Sequence, residues 1–309
     1  MSEIILIIGI VVLAVTLIGW NRLFSREIVL RKEAEERVKH SFLELEEKNK
    51  EILDSINYAK RLQDAILPSE RIWFNYLPNS FVLYQPKDIV AGDFYWIEKT
   101  NDQILFAAAD CTGHGVPGAM VSVVCSNALN RAVKEFNITD PGKILDKVRE
   151  LVIETFEKSE NEVKDGMDIS LCSLNLKTNE VKWAGANNPL WYIHSPLEEG
   201  GSRRPGDSIL TEIKADKQPI GKYAEEKPFT THTLQLNKGD TIYIFTDGYA
   251  DQFGGPKGKK FKYKQFSDFL LNISSLSSQE QKMKLGEQFK GWKGSLEQVD
   301  DVCVIGIKF

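Results

Sequence analysis

The stretch Ala107-Ala108-Ala109-Asp110-Cys111-Thr112-Gly113-His114-Gly115 decides how this chain folds: an apolar run closes on an aspartate, and glycines follow at once. Val90-Ala91-Gly92-Asp93 and Ile244-Phe245-Thr246-Asp247-Gly248 repeat the arrangement, and Asp300-Asp301 stands just before the apolar run Val302 to Lys308. A single aspartate beside a glycine is an ordinary turn signal. Acids closing several separate strands are different, because strands hold their terminal side chains rigidly, and hard oxygen ligands converging from them suit magnesium or manganese. Carboxylates gathered in one pocket repel one another or take up protons unless cations neutralise them, and about two divalent ions match this set.

Outward from these acids, short β-rich runs alternate with turns. The pattern predicts strands over Phe81 to Gln85, Phe94 to Glu98, Gln103 to Ala109, Ile169 to Leu176, Glu180 to Ala184, Leu190 to His194, Phe229 to Leu236, Thr241 to Thr246 and Val302 to Lys308, with two helical stretches between about Val116 and Lys158. Many adjacent strands with few helical crossovers give an α+β chain with antiparallel sheets. Ser195 to Ser208, with Arg203-Arg204, reads as a loop by composition, and Gly254 to Lys264 as a second, basic one. Its basic part, Lys257 to Lys264, steers an acidic or phosphorylated partner, touches anionic lipid, or is simply solvated.

Five segments carry a specific resemblance: Val90-Ala91-Gly92-Asp93-Phe94-Tyr95, Asp110 through Ala119, Ala184-Gly185-Ala186-Asn187-Asn188-Pro189-Leu190, Phe245-Thr246-Asp247-Gly248 and Asp300-Asp301-Val302. In this order they resemble the motifs of SpoIIE-type phosphatases, the bacterial branch of the metal-dependent PPM serine/threonine phosphatases. The resemblance spans roughly Ala59 to Phe309 and extends to the segment Ala59-Lys60-Arg61-Leu62-Gln63 leading into Ile66-Leu67-Pro68. It implies two β-sheets packed face to face with flanking helices, a phosphatase domain over 78–309, and two Mn²⁺ or Mg²⁺ ions at one edge of the sandwich. By motif position Asp93 would bridge the ions, Asp110 and the backbone carbonyl of Cys111 would hold one, and Asp247 and Asp300 the other. Asp300 is preferred to Asp301 because the family's ligand is the first acid of that pair. This chain has Ala91-Gly92 where the family commonly has two glycines, and Trp96 where a second acid often follows the aromatic pair; neither change removes the Asp93 carboxylate. Two metals facing a phosphomonoester activate water for in-line attack without a covalent phosphoenzyme.

Asp168 and Asp301 are candidates for an outer shell around the metals, Asp168 being equally readable as a turn residue. His114 either donates a proton to the leaving group or fixes the loop before the Val116 helix; the wider family's histidine follows the metal aspartate at a shorter spacing. Asp88, Asp102, Asp140 and Asp251 lack a preceding apolar strand and read as turn or surface acids, and His40, His194 and His232 as surface or strand residues. Cys125 to Arg131 has the spacing of a cysteine phosphatase, but without glycine the intervening helix cannot wrap amides around a phosphate. No Gly-x-Ser-x-Gly elbow exists for a Ser/His/Asp hydrolase. With every metal aspartate present, an enzyme is favoured over the alternative of a catalytically silent signalling module.

Ile4 to Trp20 is an uninterrupted apolar or small run, long enough for one membrane-spanning helix, without the basic start of a cleavable signal peptide. Arg22, Arg26, Arg31 and Lys32 follow, which marks the cytoplasmic side and predicts a single-pass protein of the bacterial inner membrane with its catalytic domain in the cytoplasm. Residues 27–67 form a charged linker helix with Val38, Leu45, Ile52, Ala59 and Ile66 at seven-residue intervals. The companion line holds Ile28, Phe42 and Ile56 but also Glu35, Asn49 and Gln63, so the seam suits a weak parallel homodimer, or a helix docked on its own domain. The helix also reads as a switch for the domain that follows. A net charge of -5 gives no reason to bind nucleic acid or to act as a nuclease. Four cysteines without paired spacing suit a reducing compartment. The resemblance suggests as partner a phosphorylated regulatory protein, such as an anti-sigma-factor antagonist.

Overall fold

The structure, a computed structural model, describes residues 1–157, 165–194 and 209–309. In chain order the elements are α1 (Ser2–Ile66), α2 (Glu70–Tyr76), β1 (Ser80–Gln85), β2 (Phe94–Thr100), β3 (Gln103–Cys111), α3 (Gly115–Lys134), α4 (Pro141–Glu157), β4 (Met167–Asn175), β5 (Glu180–Ala186), β6 (Leu190–His194), β7 (Ile209–Ile213), β8 (His232–Gln235), β9 (Thr241–Phe245), α5 (Gly248–Asp251), β10 (Phe253–Gly254), β11 (Lys259–Lys260), α6 (Lys262–Ile273), α7 (Ser278–Lys293) and β12 (Val302–Lys308).

The chain divides into two units, Met1–Asn57 and Tyr58–Phe309. The first is helical apart from Met1 and carries the apolar run, whose large side chains are all exposed. By length and composition α1 can cross a membrane. Val38, Phe42, Leu45 and Ile52 on the heptad lines are likewise exposed.

The second unit is built on two five-stranded antiparallel sheets, ordered β1-β12-β9-β6-β7 and β2-β3-β4-β5-β8. Because side chains alternate along a strand, β3 sends Ile104, Phe106 and Ala108 to one face and Leu105, Ala107 and Ala109 to the other. The first set packs with Ile242, Ile244, Cys303 and Ile305 of the opposite sheet. The second packs with Leu129, Ile144 and Val148 of α3 and α4. On the far face of the other sheet, Tyr243, Phe245 and Val304 meet Phe266, Leu270, Leu285 and Phe289 of α6 and α7. Sheets covered on both faces explain why β3, β9 and β12 read as continuous apolar runs although their pairing is antiparallel.

The predicted strands are found with ends shifted by up to three residues. β7 and helices α6 and α7 lie beyond what the sequence pattern indicated, and Gly254 to Lys264 is a two-residue-stranded hairpin leading into α6, not a plain loop. The segment Ser195 to Ser208, read as a loop, lies outside the described residues. α1 stops at Ile66, two residues before Pro68.

Candidate metal centre

Strand register gathers the acids. Phe94 pairs with Ala109, which sets Asp93 and Asp110 side by side at one end of the β2-β3 pair. Val304 pairs with Phe245, which brings Asp247, just past β9, beside Asp300, just before β12. Asp110 itself lies opposite Asp168 on β4. Asp110, Asp168, Asp247, Asp300 and the Cys111 residue line a single cavity of about 270 Å³. Asp93 lies buried behind them.

The electrostatics are those of crowded, buried carboxylates. Burial and the nearby Asp110 push the Asp93 carboxyl well above its ordinary range, against a hydrogen bond with the Thr246 side chain. Burial, then Asp247, Asp300 and Asp168, push Asp110 up to about 8, with the adjacent Asp93 side chain acting in the opposite direction. Burial and Asp300 raise Asp247 to about 6. Asp168 is also raised by burial, while Asn187 Nδ2 donates to its Oδ1 at 2.8 Å. Asp93 Oδ2 is buried without a hydrogen-bond partner among the described residues, an unusual state for a carboxylate oxygen. An orphaned oxygen and an adjacent wall of carboxylates at the strand ends of the two sheets fit hard divalent cations. Among the described residues no three His, Cys, Asp or Glu side chains already close around one point as a preformed cage.

Asp301 plays a different part from Asp300. Its Oδ1 accepts the Lys87 N–H at 2.7 Å, and its Oδ2 accepts Gly92 N–H at 2.7 Å and Asp93 N–H at 3.5 Å. It therefore holds the backbone that carries Asp93, while the Asp300 carboxylate borders the cavity and accepts the Asp301 N–H at 2.9 Å. The glycines make the turns meet: a Cβ on Gly118 would lie 2.1 Å from Gly113 O, and one on Gly92 would lie 2.4 Å from the same atom. Backbone approaches this close exclude every other residue type.

His114 borders the cavity at the start of α3, and its Nδ1 lies 2.8 Å from Asp88 Oδ2. Asp88, read from sequence as a surface acid, is thus this histidine's partner. Of the other acids read as turn or surface residues, Asp102 pairs with Lys177, Asp251 with Lys260, and Asp140 accepts from Lys143 N and Thr231 Oγ1. His194 pairs with Asp240 and His232 packs on Trp183, neither lining the cavity, and His40 is exposed on α1. Cys125 is fully buried inside α3, in keeping with a packing role.

Sequence reasoning missed Gln63 and Asp88. Asp88 had no preceding strand. Gln63 did leave a signal, as a polar residue interrupting an apolar heptad line: it is buried, and bonds the backbone of Ala91.

The family described as Stage II sporulation protein E (SpoIIE) matches residues 100–309. Over 168 residues the chain is 23% identical to the phosphoserine phosphatase RsbU of Bacillus subtilis (strain 168), covering 54% of this chain and 44% of that protein. The matched stretch is thus less than half of that relative. The SiaA-PP2C domain of Pseudomonas aeruginosa superposes with a TM-score of 0.72 at 28% identity, covering 84% of this chain and 98% of that domain. The PP2C phosphatase domain of the cell fate determinant SpoIIE from Bacillus subtilis, solved with a fragment of its regulatory domain, shares the fold, with a TM-score of 0.57 at 17% identity over 75% of this chain and 63% of that one.

Proposed function

This chain belongs to the SpoIIE family of PPM-type serine/threonine phosphatases, and we propose that it hydrolyses phosphoserine or phosphothreonine on a regulatory protein with the aid of divalent cations. The observation that carries the reading is the convergence of Asp93, Asp110, Asp247 and Asp300 from strand ends of the two sheets, with Asp93 Oδ2 without a partner among the described residues. Asp93, Asp110, the Cys111 carbonyl, Asp247 and Asp300 would hold two Mn²⁺ or Mg²⁺ ions. Such a pair, when bound, lowers the pKa of water and neutralises phosphoryl oxygens.

The chain's own residues do the rest. Asp301 sets the Asp93 backbone, and Asp168 is held by Asn187 at the cavity wall. His114, oriented by Asp88, stands at the cavity where a leaving alkoxide would need a proton. A regulatory phosphoprotein such as an anti-sigma-factor antagonist is the substrate favoured by the family, and a phosphoserine phosphatase among the relatives supports it. The run Ile4 to Trp20 would anchor the protein in the inner membrane, with Arg22, Arg26, Arg31 and Lys32 keeping the catalytic unit in the cytoplasm. The exposed Val38, Phe42, Leu45 and Ile52 support a homodimer through 27–67.

The test is release of phosphate from a phosphoserine peptide by the full chain, with and without Mn²⁺, for wild type and Asp247→Asn. Mn²⁺-dependent release lost in the variant is expected. A wild-type protein that binds Mn²⁺ yet releases nothing would instead mark a silent signalling module.

A further inference from the structure

We propose that Lys222 is a substrate-binding residue of this centre, its ammonium contacting the phosphate of the incoming phosphoserine or phosphothreonine; this rests on the phosphatase reading above. Among the described residues that line the acidic cavity, Lys222 is the one that carries a fixed positive charge, set against Asp110, Asp168, Asp247 and Asp300. Four metal-holding carboxylates match the charge of two divalent ions. Asp168 then leaves one negative charge in excess at the wall, which would repel a phosphate group carrying about −1.5 to −2. A lysine in the same wall cancels that excess.

The position is built. Ile220, two residues earlier, exchanges both backbone hydrogen bonds with Met167, N–H to O at 2.8 Å one way and 3.0 Å the other. The pairing is so close that a Cβ on Gly166 would lie 1.9 Å from Ile220 O. Upstream, the buried Gln218 accepts Lys227 N–H at 3.0 Å and donates to Lys227 O at 2.7 Å. The backbone bearing Lys222 is therefore tied to β4 next to Asp168, while its side chain keeps freedom. Its Nζ lies 3.2 Å from Glu157 Oε1, with both side chains about half exposed. An ion pair so solvated is weak, so a phosphate dianion in a partly desolvated cavity competes for the ammonium successfully.

The experiment compares wild type, Lys222→Ala, Lys222→Arg and Glu157→Gln as full chains saturated with Mn²⁺. Two quantities are read: steady-state turnover of a phosphoserine peptide, and binding of inorganic phosphate by calorimetry. Lys222→Ala should raise KM and the phosphate Kd together by roughly tenfold with kcat within about twofold, the scale of one charge-assisted hydrogen bond discounted for exposure. Lys222→Arg should recover most of the loss, and Glu157→Gln should leave both constants unchanged or lower them. Unchanged KM and phosphate Kd in Lys222→Ala overturn the proposal. So does an equal effect of Lys222→Ala and Glu157→Gln on thermal stability with no change in binding, which would assign the lysine to its ion pair. Wild type that binds phosphate through Lys222 but hydrolyses no peptide would count against the phosphatase reading and for this one.

Discussion

Gln63 grips Ala91 from both sides: its Nε2 donates to the Ala91 carbonyl at 2.7 Å, and the Ala91 N–H donates to its Oε1 at 3.1 Å. The same Nε2 lies 3.2 Å from Ser122 Oγ on α3. One side chain near the end of α1 thus holds the peptide two residues before Asp93. Two or more buried hydrogen bonds at about 1 kcal/mol each mean that Gln63→Met, which keeps the bulk, should cost about 1–3 kcal/mol. Because the loss falls on the Asp93 loop, the Mn²⁺ concentration for half-maximal turnover should rise as well. A Mn²⁺ titration unchanged by Gln63→Met would remove the link between α1 and the centre.

Stability should depend on pH in a direction set by the cluster. Asp110 at about 8 and Asp247 at about 6 hold protons in the folded state that an unfolded carboxylate releases near pH 4. Their contribution is full below about pH 4 and is lost as pH rises through about 6 and 8. Cations displace these protons and so bind more tightly at high pH. The Tm difference between Mn²⁺-saturated and chelator-treated protein is expected to widen from about pH 5 to about pH 8. A difference constant with pH would mean the acids do not share a site.

Asp300 and Asp301 should fail differently. Asp301→Asn offers one acceptor oxygen where two oxygens now take Lys87 N–H and Gly92 N–H, and turns an amide donor toward a backbone donor. Loss of about 1–3 kcal/mol of stability is expected, seen in denaturant unfolding without metal. Asp300→Asn removes a charge that raises Asp110 and Asp247, so the metal-free protein should be no less stable while Mn²⁺ affinity falls. Matching stability losses in the two variants would contradict this division.

His114 should matter according to the leaving group. A serine alkoxide needs a proton and nitrophenolate does not, so His114→Asn should slow a phosphoserine peptide by about 10²-fold or more and p-nitrophenyl phosphate far less. Asp88→Asn, acting only through the 2.8 Å contact, should slow peptide turnover by a smaller factor and p-nitrophenyl phosphate hardly at all. Equal slowing of both substrates by His114→Asn would leave the histidine a loop-fixing role.

The catalytic unit should not tolerate a start at Phe81. Such a fragment lacks Gln63 as well as Trp73 and Leu77, which lie in the core between the sheets, Trp73 also donating to Ser80 Oγ at 2.8 Å. Loss of a buried tryptophan alone costs about 3–5 kcal/mol. A fragment from Tyr58 is expected to unfold at markedly higher denaturant than one from Phe81, and equal midpoints would show that the helical lead-in contributes no packing.

The acids proposed for the centre stand out in the amino-acid sequence because each borders an apolar strand, Asp110 and Asp247 at the ends of β3 and β9, Asp93 and Asp300 just before β2 and β12, and local chemistry dictates both features: alternating and continuous apolar runs form strands, and glycines permit the turns beside them. Apolar length likewise made α1 readable. What each neighbouring polar residue does was decided only by tertiary structure. Asp300 and Asp301 are adjacent and chemically identical, yet one faces the cavity and the other grips the Gly92 loop, because β12 pairs with β9 on one side and β1 on the other. Gln63 reads as a flaw in a heptad, Asp88 as a surface acid and Lys222 as nothing. Their partners lie 28, 26 and 65 residues away, and a contact at that separation comes into being only when packing the sheets and helices brings distant backbone together.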